Sequence, residues 1–283
     1  MPASAPLDRL SALLEALAPR VELTRAQSLP DPGEAVDTSA TCFLYLYLLT
    51  KGELVFALPN AVRSITSPSM VICRSDRSHR VSTVEANDLE HLVRAKVSIE
   101  GPAGVLLFNE FAEPLVLSLA QTDTALSQAV ALISSELATP RCGQPALLNR
   151  AGDILFIGLL RHLVAHPASD SGLFKGLADP RIARSLVAMH SAPQQLWTLE
   201  RMALEAGMSR TAFANAFRSL MNQTPGKYLG SLRLAIAQQA VASGRGLKRA
   251  AKASGYASPS ALSRALSRAA TGRKLGAVAS SGG

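Results

Sequence analysis

The order of apolar and polar residues changes character twice along the chain. Near the start, Leu7, Leu10, Leu14 and Leu17 recur at helical spacing and read as one face of a short helix. SLPDPGEAVDTSA then reads as a loop. From Cys42 the period shortens. CFLYLYLL has the length and aromatic content of a buried strand, KGE turns the chain into LVFAL, and PN turns it again. MVIC, HRVS, LVRAKVSI and VLLF follow, each bounded by Gly, Pro, Ser or Asp. Short strands at roughly ten-residue spacing predict an antiparallel barrel or sandwich. Either Phe43, Tyr45, Tyr47 and Phe56 or the alternating set lines its interior.

From about Gln121 the period becomes helical. TDTALSQAVALISSELA is one helix, capped by Thr122 or Asp123, and QPALLNRAGDILFIGLLRHLVAH is a second. In the second, Leu147, Leu148, Ile154, Leu155, Ile157, Leu159, Leu160 and Leu163 cover more than one face. That predicts burial by the strands, by the neighbouring helix or by a second subunit. PASDSGLFKG reads as the linker. DPRIARSLVAMH then opens with Asp179 as N-cap and Pro180 at the first helical position. Helix is predicted from there to about Ala270.

This helical half holds a faint duplication. Ala203 and Gly207 stand four apart, as do Ala251 and Gly255, 48 residues later. Met208, Ser209, Phe213 and Phe217 follow the first glycine; Tyr256, Ser258, Leu262 and Leu266 follow the second. Each copy has the logic of a helical hairpin. A small alanine allows close crossing, a glycine makes the turn, an apolar residue plugs it, and a serine caps the next helix. Between the copies, Thr224 caps and Pro225 starts a helix with Tyr228, Leu229, Leu232, Leu234, Ile236 and Val241 as its buried stripe. Pro225 to Ser243 is 19 residues, about 28 Å if unbroken at Gly230. Successive major grooves on one face of DNA lie about 34 Å apart.

Charge separates the halves. Residues 1–180 carry 14 basic and 19 acidic residues, a net of −5; residues 181–283 carry 15 basic residues against Glu200 and Glu205, a net of +13. The second half therefore suits a polyanion. Its cations are spread over several helices rather than along one amphipathic helix, which favours nucleic acid over a membrane surface. No apolar run approaches the roughly 18 residues of a membrane span. Three cysteines, no Cys-x-x-Cys pair and no signal-peptide pattern point to the cytoplasm. Cys73 is the candidate redox sensor, because Arg74, Arg77 and Arg80 follow it and cations lower a thiol pKa; Cys42 and Cys142 are the other thiols. Three buried, inert thiols is the alternative.

WTLERMALEAGMSRTAFANAFRSLMNQTPGKYLGSLRLAIAQQ resembles the DNA-binding domain of AraC/XylS-type transcriptional regulators, and LKRAAKASGYASPSALSRALSR resembles its second helix-turn-helix. LDRLSALLEAL, LTKGELVFAL, SMVICRSDRSHRV and NRAGDILFIGLLRHL fit the subgroup with an N-terminal cupin. The resemblance implies an α+β, two-domain chain. It comprises a cupin-like antiparallel β-barrel with flanking helices over 1–118 and dimerisation helices over 119–170. An all-α DNA-binding domain with two helix-turn-helix motifs spans 177–272, and a flexible tail covers 273–283. It implies base contacts from Arg210, Thr211, Ala214, Asn215 and Arg218, and from Ser260, Ser263 and Arg264. Ser209, Lys227, Arg233, Lys248, Ser258 and Arg268 would meet phosphates. The partners implied are double-stranded DNA, a small-molecule effector or redox signal, a second copy of the chain, and RNA polymerase if the protein activates. Ala250, Leu262 and Leu266 depart from the family pattern and imply a looser second hairpin acting mainly as a backbone clamp.

The first half offers little catalytic chemistry. It has no His-x-His; His79 alone falls where a last cupin histidine would, and one histidine is not a metal site. His91, His162, His166 and His190 have no evident partners in the sequence. No paired-carboxylate, Ser/His/Asp or phosphate-loop pattern is present. The expectation is a regulator with no cofactor and no enzyme activity. The alternatives are a cupin metal-dependent enzyme fused to a DNA-binding domain, a non-specific DNA-architectural protein and a membrane-surface binder.

Overall fold

The computed structural model describes residues 8–25 and 42–279. Leu7 and the loop SLPDPGEAVDTSA lie outside the described residues. The chain divides into two compact units. One comprises Ala18–Glu100 with Leu107–Ala168; the other comprises the segment ending at Leu17, Gly101–Leu106 and the chain from Ser169.

The first unit is built on antiparallel strands. β1 (Pro19–Arg25), β2 (Phe43–Leu49), β5 (Ser69–Arg74), β7 (Leu92–Ile99) and β8 (Leu115–Ser118) form a five-stranded sheet in the order β1-β7-β2-β5-β8. β3 (Glu53–Leu58), β4 (Ala61–Thr66) and β6 (Arg80–Thr83) form a second, in the order β4-β3-β6. A closed barrel was expected; among the described residues neither sheet closes, because the outer strands each pair on one side alone. The core lies between the sheets. Tyr47, Leu49, Leu54, Phe56, Ile65, Val71, Cys73, Val81 and Leu92 form one buried cluster, with Tyr45 packed against it. This decides the inward face of β2, on which Tyr45 and Tyr47 join Phe56.

Four elements of this unit differ from the pattern-based expectation. VLLF is not a strand but part of α2 (Gly104–Glu110); a short apolar run carries no period, and the final strand is LVLS, ten residues later. β1 and β4 are strands that the pattern missed. β4 buries Ile65 alone among its six residues, so it shows no apolar alternation.

α3 (Thr124–Ala138) is capped by Asp123, which accepts from the Leu126 N–H at 2.8 Å. α4 (Gln144–Ala165) packs on α3 and β1. Leu148, Leu155, Phe156, Leu159, Leu160 and Leu163 are buried, but Leu147 and Ile154 are exposed, so the helix is not covered all round. Leu132 on α3 is exposed as well.

The second unit is helical. α1 (Ser11–Leu17) buries Leu13 and Leu17, with Leu10 just before it, rather than Leu14, and packs on α6 (Pro180–Ser191). The Arg9 guanidinium donates to the Leu177 and Ala178 carbonyls, both at 3.1 Å, where a helix end offers free acceptors. These close α5 (Leu173–Ala178), which occupies the second half of the expected linker. Leu173, Phe174 and Leu177 are buried there, and Gly176 lies against Met221. Asp179 caps α6 as expected, accepting from the Arg181 and Ile182 N–H groups at 2.8 and 3.3 Å. α7 (Leu199–Glu205), α8 (Arg210–Met221), α9 (Pro225–Ala242), α10 (Leu247–Ser254) and α11 (Pro259–Ala279) follow. α11 runs on where a tail from 273 was expected; its Ala, Leu, Arg and Lys residues are strong helix formers.

Two helical glycines give opposite predictions. A Cβ at Gly152 would stand 2.7 Å from Val21 Cγ1 and 3.0 Å from Leu23 Cδ1, whereas one at Gly230 meets nothing within 4 Å. Gly230→Ala should stabilise by roughly 1 kcal/mol through helix propensity. Gly152→Ala gains the same but overpacks, so the net should be a loss of about 1–2 kcal/mol. Urea unfolding of each variant measures the sign.

Candidate nucleic-acid interface

The two hairpins share their backbone geometry. In the first, α7 begins at Thr198, whose hydroxyl accepts from the Arg201 N–H, and the turn after it is made by Gly207 with φ +65°. In the second, α10 ends at Gly255 with φ +79°. The Met208 N–H donates to Ala203 O, and the Tyr256 N–H to Ala251 O, each at 2.9 Å. Both are bonds across a left-handed helix end, which glycine adopts without cost. The cap serines repeat as well: Ser209 accepts from the Ala212 N–H at 3.3 Å, and Ser258 from the Ala261 N–H at 3.1 Å.

Burial then sorts each following helix into two faces. On α8, Phe213, Phe217 and Met221 are buried, with the two rings 5.5 Å apart. Thr211 and Arg218 are exposed, as is Asn215, and Ala214 is half-buried. Arg210 is exposed too, but its guanidinium meets Glu200 at 2.7 Å, and this bond lowers the Glu200 pKa. On α11, Leu262 is buried and Leu266 half-buried, while Ser260, Ser263, Arg264 and Arg268 lie on the open side. Ala237, Ala240, Ala250, Ala251 and Leu262 form the core of the second hairpin against α9. The small residue at 250 is therefore matched by small residues opposite it.

α9 is continuous through Gly230 and begins at Thr224, which accepts from the Lys227 N–H at 3.3 Å. Its buried side is Tyr228, Leu229, Leu232, Ala235, Ala237 and Ala240; Val241 is exposed. Lys227 and Lys248 are exposed in the first turns of α9 and α10. Arg233, expected as a phosphate contact, also bonds within the chain. Its Nε donates to Pro193 O at 2.9 Å and its Nη2 to Gln195 O at 2.6 Å, so these donors face the chain.

No motif announces the pair that ties α6 to α9. His190 Nε2 and the Tyr228 hydroxyl lie 2.6 Å apart in the core, and Phe217 packs edge-on to the Tyr228 ring. The two partners are 38 residues apart. Burial lowers the His190 pKa to about 4.

In the sheet unit, His79 Nδ1 donates to Arg77 O at 2.8 Å. Its Nε2 therefore accepts, from the Tyr47 hydroxyl at 2.9 Å. Phe56 stacks on the imidazole at 5.3 Å. Both ring nitrogens are engaged, and among the described residues no three metal-ligating side chains come together. These donors do not fit a cupin metal. The redox expectation for Cys73 is also corrected. The thiol is buried, and burial drives its pKa well above the usual thiol range. Arg74 turns instead to Asp76, with Nε to Oδ1 at 2.8 Å. Cys42 is half-buried and its pKa is also raised, chiefly by burial; Cys142 is exposed.

A cupin family model matches residues 8–165, and a helix-turn-helix domain model matches residues 202–274. The HTH-type transcriptional regulator AlkR of Acinetobacter baylyi is 32% identical over 127 residues, which is 44% of this chain and 42% of that protein. The chain thus aligns with less than half the length of that relative. The RCS-specific HTH-type transcriptional activator RclR of Escherichia coli is 26% identical over 68% of this chain and 69% of its own length. Among solved structures, ToxT of Vibrio cholerae O395 aligns over 89% of this chain and 92% of its own, at 11% identity and a TM-score of 0.36.

The buried imidazole sets an acid limit on the helical unit. Between about pH 6.5 and 4 the unfolded chain binds a proton at His190 that the folded chain refuses. The stability this confers is complete above pH 6.5 and is lost as pH falls towards 4, on the order of 3 kcal/mol. His190→Gln should flatten that part of the profile. Urea unfolding at pH 7 and 4.5 checks it; equal pH dependence in parent and variant would refute it.

Proposed function

The chain belongs to the AraC-type regulators that carry an N-terminal cupin domain, and from that premise we propose that it regulates transcription by binding double-stranded DNA through both hairpins. The observation that carries this reading is the repeated hairpin on one unbroken helix. α9 has 18 residues, about 27 Å of rise, which suits helices set into major grooves about 34 Å apart. α8 is assigned to one groove and α11 to the next.

The open faces supply the chemistry. Thr211, Asn215 and Arg218 from α8, and Ser260, Ser263 and Arg264 from α11, are the base readers. A carboxamide matches adenine and a guanidinium matches guanine through paired hydrogen bonds. Ser209, Lys227, Lys248, Ser258 and Arg268 take the phosphates, which position without specifying sequence. Arg210 is shared between Glu200 and the groove. The +13 charge of residues 181–283 supports the same partner.

The sheet unit is read as the sensor, taking a small effector between its sheets. No helix among the described residues is long and apolar enough to cross a membrane, and a cytoplasmic location follows from the DNA partner. The uncovered Leu132, Leu147 and Ile154 on α3 and α4 support pairing of two copies through these helices. RNA polymerase is the further partner if the protein activates.

Affinity for duplex DNA should fall steeply with salt, by about 0.9 in log–log slope for each phosphate neutralised. Titrations from low to physiological salt measure this, and a flat response would sink the proposal. Asn215→Ala should cost about 1–3 kcal/mol on the cognate site while leaving random DNA unaffected. Ile154→Glu should shift sedimentation from dimer to monomer without unfolding the chain; an unchanged sedimentation coefficient would rule out this pairing face.

A further inference from the structure

We infer that Arg233 positions the second hairpin relative to the first, by clamping the loop Pro193–Gln195 that lies between them. Its effect on DNA rests on the reading above; its geometry does not. Arg233 sits midway along α9. Its Nε and Nη2 donate to two carbonyls of one loop, those of Pro193 and Gln195, at 2.9 and 2.6 Å. A planar guanidinium with donors at fixed angles sets both the distance and the direction of that loop.

The turn of the second hairpin presses on the same point. A Cβ at Gly255 would lie 2.8 Å from Gln194 Cα and 3.0 Å from both Arg233 Nε and Pro193 O. Two constraints thus demand glycine at this turn: the positive φ and the approach of the loop. Tyr256 follows immediately, near enough to Arg233 for each to influence the other's ionisation.

The loop is fastened in turn to the first hairpin. Trp197 Nε1 donates to Ala192 O at 2.9 Å. Arg201, on α7, lies over the Trp197 ring at 4.7 Å and donates to the Gln195 side chain. Polar contacts therefore run from α7, through residues 192–197, to Arg233 and the Gly255 turn. α9 sets how far apart the hairpins stand; the clamp sets their rotation about its axis. The alanine-built core between α9 and α10 has few side chains long enough to resist that rotation.

The test uses the full chain. Selection from a random duplex pool defines the two-block site of the parent, and one or two base pairs are then inserted between the blocks. The parent should lose about tenfold or more on insertion. Arg233→Gln should bind the original site more weakly but lose little on insertion, with an unchanged salt slope. Arg233→Lys should behave in the same way, because an ammonium cannot reproduce the fork. A salt slope lower by about 0.9 with the spacing rule intact would make Arg233 a phosphate contact and overturn the clamp. An unchanged spacing rule and unchanged affinity would overturn it as well.

A second measurement needs no DNA. Spin labels at Ser219→Cys and Ser263→Cys, in a chain carrying Cys42→Ser and Cys142→Ser, report the spacing of α8 and α11. The parent should give a narrow distance distribution and Arg233→Gln a broad one at equal helical content. Equal widths would overturn the clamp whether or not the parent selects a duplex.

Discussion

The contact between the Tyr228 hydroxyl and His190 Nε2, 2.6 Å long and sealed from water, holds the helical unit together. Tyr228 lies one turn into α9, His190 lies at the end of α6, and Phe217 on α8 packs against the same phenol. Three helices thus share one side chain. The buried pair requires a neutral imidazole, and it requires α9 to start in register. Thr224 and Pro225 fix that start through a cap and a preset φ. Once α9 is placed, its middle carries Arg233 to the loop before α7 and its alanines receive α10.

The sheet unit uses polar groups differently. Its His79 is satisfied by one backbone carbonyl and one phenol and is stacked on Phe56. Such an arrangement holds a ring in place at modest cost, since each polar atom keeps a partner. It also leaves the imidazole no free lone pair for a metal. Tyr45 and Tyr47 instead join Phe56 in the packed layer between the sheets, with the Tyr47 hydroxyl spent on His79.

What the sequence made legible was local. Asp179, Ser209, Thr224 and Ser258 act as caps because capping depends on a few consecutive residues. Gly207 and Gly255 mark turns because a positive φ selects for glycine. Contacts between distant segments were not legible. His190 finds Tyr228 across 38 residues, and Arg233 finds Pro193 across 40, with no spacing rule to reveal either. The backbone contacts of Arg233 were hidden because a cation in a basic segment looks the same whether it faces solvent or a carbonyl. Edge strands were missed for a related reason: β4 has one buried residue, so water dictates most of its sequence. The exposure of Ile154 was hidden because an exposed apolar residue on a helix reads like a core residue.

The alanine seam between α9 and α10 has a further consequence. Alanine surrenders no rotamer freedom when it is buried, so the seam forms at little entropic cost. It also removes little apolar surface from water, so it returns little stability. A seam of this kind opens at a low free energy and recloses without rearranging side chains. The C-terminal hairpin is therefore the cooperative unit that local unfolding should release first, with amide hydrogens in α10 exchanging ahead of those in α8. The helix anchored by Phe213 and Phe217 is built the other way and should stay closed while that hairpin opens.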